Sequence, residues 1–212
     1  MTNHELPKFD LPIDFVVTDE IPVALLQNYA RFPCKIKACL FILCTRGEVR
    51  ATVNLTHLTI RTGSFITLLP GSFIQFESIS SDIHLYVVGY SSEFMARSNY
   101  LKLVVDDFHS ILQHPVLSLP PRITRLYEQA YRLLMRTAAI GRIENDREML
   151  TPLLSLSLQT CLRLYHHYVP RWDGELTRDQ EICREFVVLL LHHYAREHTV
   201  AFYASACGVT LP

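Results

Sequence analysis

Ten histidines and twenty-one acidic side chains supply the groups from which catalytic and metal sites are built. Their spacing decides what they can do. A metal site in a β-barrel uses H-x-H, a following glutamate and a distant histidine, so that several donors converge on one ion. This chain has no H-x-H: His57 stands alone, and Glu77 and His84 are not at ligand spacing. The pairs His166-His167 and His192-His193 fall in helical context, where consecutive side chains point roughly 100° apart and do not share an ion. H-E-x-x-H, G-x-S-x-G, the P-loop and G-x-G-x-x-G are absent. No catalytic residue, metal ligand or cofactor is therefore assigned. Cys34, Cys39, Cys44, Cys161, Cys183 and Cys207 contain no C-x-x-C. On a strand, the five-residue steps among the first three turn Cys39 away from the other two, so small buried hydrophobes are the expectation. What remains is polar groups on otherwise apolar strands: Gln75 in SFIQFES, and His84 and Tyr86 on one face of IHLYVVGY. These three are expected to project into a barrel and hydrogen-bond a small molecule. The plain alternative is that they face solvent or a helix.

The elements that must position them divide near residue 115. Before it, IDFVVT (13–18), CKIKACLFILCT (34–45), EVRATVNL (48–55), SFITLL (64–69), SFIQFES (72–78) and IHLYVVGY (83–90) are rich in β-branched and aromatic residues. Arg46-Gly47, Thr62-Gly63, Pro70-Gly71 and Ser81-Asp82 punctuate them at spacings that suit an antiparallel barrel or sandwich. ACLFILC is apolar on both faces and reads as a central strand. EVRATVNL alternates, with Val49, Ala51, Val53 and Leu55 on one side.

After residue 115 the period becomes helical. Ile123, Leu126, Tyr127, Ala130, Leu133, Leu134 and Thr137 form one stripe, with Gly141 expected to end the helix. In the next helix Leu153, Leu154, Leu156, Leu158, Cys161, Leu162, Leu164 and Tyr165 cover most of the circumference, which requires burial on more than one side. Leu154, Leu158, Cys161 and Tyr165 are therefore expected at the seam of a homodimer, with internal core as the alternative. Pro152 either opens this helix behind Thr151 or interrupts a longer one starting near Glu144. A third helix follows Thr177 as its cap, with Ile182, Phe186, Leu189, Leu190 and Tyr194 on one face. Thr199 then caps a short helix, VAFYASACG.

A helix-turn-helix needs a small residue where its helices cross and a glycine four residues later for the tight turn. Ala204 and Gly208 have that spacing, with Val200 and Tyr203 on the inner face and Cys207 and Val209 flanking the glycine. Together with EICREFVVLLLHHYAREHTVAFYA, this run resembles the start of the DNA-binding domain of AraC/XylS-family transcriptional regulators. The matching residues are Phe186, Leu189, Leu190, His193, Tyr194, His198, Val200, Phe202, Tyr203, Ala204, Gly208, Val209 and Thr210. More loosely, FILCTRGEVRATVNLTHLTIRTGSFITLLPGSFIQFES followed by IHLYVVGYSSEF is similar to the cupin-type sensor half of such regulators.

The resemblance implies an α+β chain: an N-terminal antiparallel β-barrel of the cupin-like double-stranded β-helix type over 1–116, a helical dimerisation or linker region over 117–174, and an incomplete helix-turn-helix domain over 175–212. It implies a non-enzymatic sensor and dimerisation portion, cut within its first DNA-reading motif. An effector in the barrel would change how a homodimer presents its DNA-binding domains, and DNA would be met only through the missing C-terminal part. Net charge is −1, and residues 120–212 hold 11 basic and 10 acidic side chains, so the described motif has no basic excess of its own for DNA. No apolar run reaches the roughly 20 residues of a membrane span, and the N-terminus lacks a secretory signal, so a cytoplasmic location is expected. The alternatives are a stand-alone cupin-like enzyme or small-molecule-binding protein with a helical appendage, and a naturally short protein that pairs with a full-length relative.

Overall fold

The computed structural model describes residues 6–21, 26, 30, 32–97, 107–144, 147–169, 178–193 and 196–210. Among them the N-terminal half is ten strands: β1 (Lys8–Phe9), β2 (Phe15–Thr18), β3 (Cys34–Ile36), β4 (Cys39–Arg46), β5 (Glu48–Val53), β6 (Thr56–Arg61), β7 (Ser64–Leu68), β8 (Phe73–Ile79), β9 (His84–Tyr90) and β10 (Val116–Ser118). They pair as two five-stranded sheets, β1-β3-β8-β5-β6 and β10-β7-β4-β9-β2. All pairings are antiparallel except β1 with β3. The cupin-like barrel read from the sequence is thus two facing sheets whose pairing is not closed into a ring. The chain passes from one sheet to the other at every step between consecutive strands except β5 to β6 and β9 to β10.

Two strand assignments differ from the sequence reading. CKIKACLFILCT is broken at Lys37-Ala38, so β3 and β4 belong to different sheets. Cys39 still faces away from Cys34 and Cys44. The latter two lie in the core between the sheets, and Cys39 lies on the helix side. EVRATVNL ends early: Asn54 (φ 48°) and Leu55 (φ 68°) make a hairpin turn into β6, whose existence the sequence reading missed. Positive φ at both central residues is the type I′ geometry that suits strand twist. Asn54 supports it by accepting the backbone N–H of Phe73 at 2.9 Å. Leu55, expected inside with Val49, Ala51 and Val53, is 92% exposed because the turn carries it off the strand face.

The helices are α1 (Ser92–Arg97), α2 (Phe108–Gln113), α3 (Pro121–Glu144), α4 (Arg147–Tyr168), α5 (Arg178–His193) and α6 (Val200–Ala206). Gly141 does not end α3, which continues to Glu144. A glycine inside a helix costs about 1 kcal/mol, which neighbouring helical turns outweigh. Pro152 lies inside α4, so of the two possibilities the longer helix is the one formed, at the loss of one intrahelical hydrogen bond. Thr177 and Tyr194 lie outside the described residues.

α3 and α4 cover the outer face of the β10-β7-β4-β9-β2 sheet. Alternation along each strand sends Phe41, Leu43, Phe65, Val88 and Tyr90 to the helices and Leu40, Cys44, Ile66, Leu68 and Val87 to the opposite sheet. β4, apolar on both faces, is the central strand. The helices are tied to the sheet and to each other by tyrosine hydroxyls. Tyr131 donates to the Phe41 carbonyl at 3.1 Å and Tyr127 to that of Thr160 at 2.8 Å. Tyr90 Oη lies 3.0 Å from the Leu154 carbonyl and 2.6 Å from Ser157 Oγ.

Candidate ligand cavity

Between the two sheets lies a cavity of about 230 Å³. Ile36, Val49, Ile60 and Ile74 line it from one sheet, and Ile66 and Val87 from the other. These are the inward members of alternating strands, so the same period that makes the sheets also makes the wall. Of the nineteen described residues that line it, Thr18 and Glu20 are the ones with side-chain oxygen, and none is Lys, Arg or His. Thr18 Oγ1 accepts the Glu20 backbone N–H at 3.0 Å, holding the end of β2 at the rim. Cys34 is part of the lining, and burial raises its thiol pKa, so it contributes as an uncharged group. Cys44, in the same inter-sheet core, is pushed up to about 11, first by burial. An apolar space of this kind excludes water and suits a compact apolar ligand.

The three residues expected to project into the barrel do not line this cavity. Tyr86 points to the helix side, where its hydroxyl accepts from Arg132 Nε at 2.8 Å. His84 shares that face of β9. Its Nδ1 lies 2.9 Å from Thr45 Oγ1, its Nε2 3.7 Å from Asp19 Oδ2, and its ring 5.0 Å from that of Tyr86. Gln75 donates from Nε2 to the Ala30 carbonyl at 3.3 Å. The reason is one of parity: in β9 the cavity-facing positions are Leu85 and Val87, so the polar residues between them face the helices. His57 Nδ1 and Glu77 Oε1 meet at 2.6 Å on an exposed part of the other sheet. Thr52 Oγ1 also donates to Glu77, and these contacts hold the Glu77 carboxyl below its ordinary pKa.

Leu154, Leu158, Cys161 and Tyr165, expected at a dimer seam, are all buried in the core between sheet and helices of one chain. Leu154, Leu158, Cys161, Leu162, Leu164 and Tyr165 of α4 are covered within the chain, while Leu156 is 61% exposed. A different apolar stripe is left outside. Leu126, Leu133 and Ile140 on α3 are 57%, 65% and 52% exposed, and with Ala130 and Thr137 they follow a 4-3-4-3 spacing.

In the C-terminal unit Tyr203 and Cys207 are buried, and the Tyr203 ring meets Phe186 of α5 at 5.6 Å. Tyr203 Oη donates to the Glu197 carbonyl at 2.8 Å. Val200, expected on the inner face, is instead 73% exposed, at the first position of α6. Thr199 caps α6 through the Phe202 N–H. Gly208, at φ 64°, closes it: Val209 N–H bonds the Ala204 carbonyl and Gly208 N–H that of Ser205, the Schellman pattern. Ala204 and Val209 are half-buried and Thr210 is exposed.

The family model of the AraC-like ligand binding domain matches residues 26–151, more than half of the chain. The chain belongs to that family. Members are ligand-sensing domains of transcription regulators, and the matched span holds both sheets from β3 onward, α3 and the start of α4. Thr18 and Glu20 of the cavity rim lie just before it. Among solved structures, the chain is similar to the AraC-like transcriptional activator CuxR (12% identity, TM-score 0.38), covering 90% of this chain and 62% of CuxR, less than two thirds of its length. It is also similar to ToxT from Vibrio cholerae O395 bound to (E)-4-(8-methylnaphthalen-1-yl)but-3-enoic acid (13% identity, TM-score 0.37; 97% of this chain, 69% of that one). A third likeness is to unsaturated fatty acid-bound ToxT from Vibrio cholerae strain SCE256 (12% identity, TM-score 0.38; 97% and 67%). No curated protein matches the chain significantly in sequence. Among the described residues no helix is long and apolar enough to cross a membrane.

The lining residues were not visible as a site in the sequence, because a strand valine reads the same whether it meets a neighbour or a cavity.

Proposed function

We propose that this chain is the effector-sensing and dimerisation portion of a non-enzymatic DNA-binding transcription regulator, with the inter-sheet cavity as its effector site. The observation that carries this reading is that one sheet separates the cavity from α3 and α4. A ligand between the sheets displaces side chains such as Ile66 and Val87. The strands that bear them also bear Phe65 and Val88, which support the helices. An effector that fits better behind one helix placement than another shifts the population toward it. The output in this reading is a homodimer pairing through the stripe Leu126, Leu133 and Ile140, whose spacing is that of a coiled-coil seam with small residues at the alternate positions. α5 and α6 then open a helix-turn-helix that meets DNA, so the divisions 1–116, 117–174 and 175–212 correspond to sensing, pairing and the start of DNA contact. A cytoplasmic location follows from that role.

Native mass spectrometry of the purified chain tests this. The expected result is a dimer without stoichiometric metal, converted to monomer by Leu133→Glu, with any retained small molecule lost in a cavity-filled variant. A monomer carrying one transition metal per chain would overturn the reading in favour of a cupin-like enzyme.

A further inference from the structure

Among the described residues of the cavity lining, Glu20 is the one with an ionisable oxygen group, its carboxylate, at the exposed rim. That carboxylate has no ion-pair partner among the described residues. The neighbouring acid, Asp19, is turned instead toward His84 Nε2 at 3.7 Å. Among the described residues of the lining none is Lys, Arg or His. An anionic ligand entering this space would give up hydration and meet a like charge with no counter-charge, which is unfavourable on both counts. A cation set at the end of a hydrocarbon body meets the opposite situation. Its body replaces no water–protein hydrogen bonds in the apolar interior, and its charged end reaches Glu20 and the Thr18 oxygen while still partly in water. Size narrows the class further. About 230 Å³ corresponds to roughly seven water volumes, room for one ring with a short chain.

We propose that the effector is a compact apolar molecule ending in a protonated amine, its hydrocarbon body between the sheets and its ammonium group on the Glu20 carboxylate at the rim. This rests on reading the cavity as the effector site. Glu20 is the specificity-determining residue, and the inward valines and isoleucines supply the affinity.

Isothermal titration of the full chain with three probes of similar shape, phenylethylamine, propylbenzene and phenylpropionate, tests it. The amine binds about tenfold more tightly than the neutral hydrocarbon, as a partly solvated ion pair allows, and the carboxylate binds most weakly. Glu20→Gln lowers amine affinity to the level of propylbenzene and leaves propylbenzene unchanged. Raising salt narrows the amine preference in the wild type only. Propylbenzene binding without an amine preference, or an amine preference that survives Glu20→Gln, overturns this inference and leaves the effector reading standing. Failure of all three probes to bind overturns both.

Discussion

Adding two methylene groups to the walls of the cavity should make this protein more stable. Val49 and Val87 line the space from opposite sheets, at 1% and 7% exposure. In a close-packed interior, enlarging such residues forces off-rotamer side chains and costs typically about 1–3 kcal/mol. Here the walls stand apart. By the cavity coefficient of about 24 cal/mol per Å³, filling a space of that size is worth on the order of 5 kcal/mol, so inserted methylenes meet room instead of a neighbour. Val49→Ile and Val87→Ile keep β-branching, and each gains about 0.8 kcal/mol of burial, about 1.6 kcal/mol for the pair. For a chain of this size that raises Tm by about 3–6 °C. The control is Val88→Ile, one residue along the same strand but facing α3 and α4, where the same methylene enters a packed layer and lowers stability. Urea denaturation followed by circular dichroism reads both, with the slope unchanged and the midpoint moving in opposite directions. If the double variant and Val88→Ile are destabilised alike, the space between the sheets does not exist in solution and the effector site falls with it.

Three further outcomes follow from the contacts described. Tyr90→Phe removes the hydroxyl at the Leu154 carbonyl and Ser157, and should cost about 1 kcal/mol in urea denaturation while raising amide exchange in α4. Gly208→Ala places a side chain at φ 64°, which costs about 1 kcal/mol or more, and should raise exchange across α6 without altering the cavity's response to propylbenzene. The Glu77 carboxyl, held low first by Thr52 and then by His57, should titrate by carbon-detected NMR below the ordinary value near about 4.3. Its stabilising contribution is therefore complete above that value and lost as pH falls through the lower folded midpoint. Thr52→Val should raise that midpoint, and no rise would show that the hydrogen bond is not what lowers it.

The longer strands and the main helices were legible because each keeps one period, and the C-terminal cap because Gly208 is the residue its geometry needs; β1, β10, α1 and α2 are two to six residues long, too short to show a period. Two local events escaped. Asn54-Leu55 turns without a glycine, and its neighbours alternate as a strand would, so the hairpin reads as a continuous run. The break at Lys37-Ala38 is imposed by the switch between sheets, a tertiary demand with no turn residue to announce it. For the α4 stripe the sequence leaves dimer seam and internal core both open, because nothing in it says that α3 lies beside it. The actual uncovered stripe, at Leu126, Leu133 and Ile140, was in view as part of the same amphipathic helix. It could not be separated from the inward Tyr127, Tyr131 and Leu134 until the sheet showed which side was taken.

The wall shared by cavity and helices is written with two interleaved alphabets. Along β4, β7 and β9, one set of alternate letters lines the cavity and the other set packs against the helices. Substitutions in the first set can change what is sensed while the second set, and with it the response, stays as it was. With the cavity as the proposed effector site, one stimulus is exchanged for another by editing every second residue of three strands.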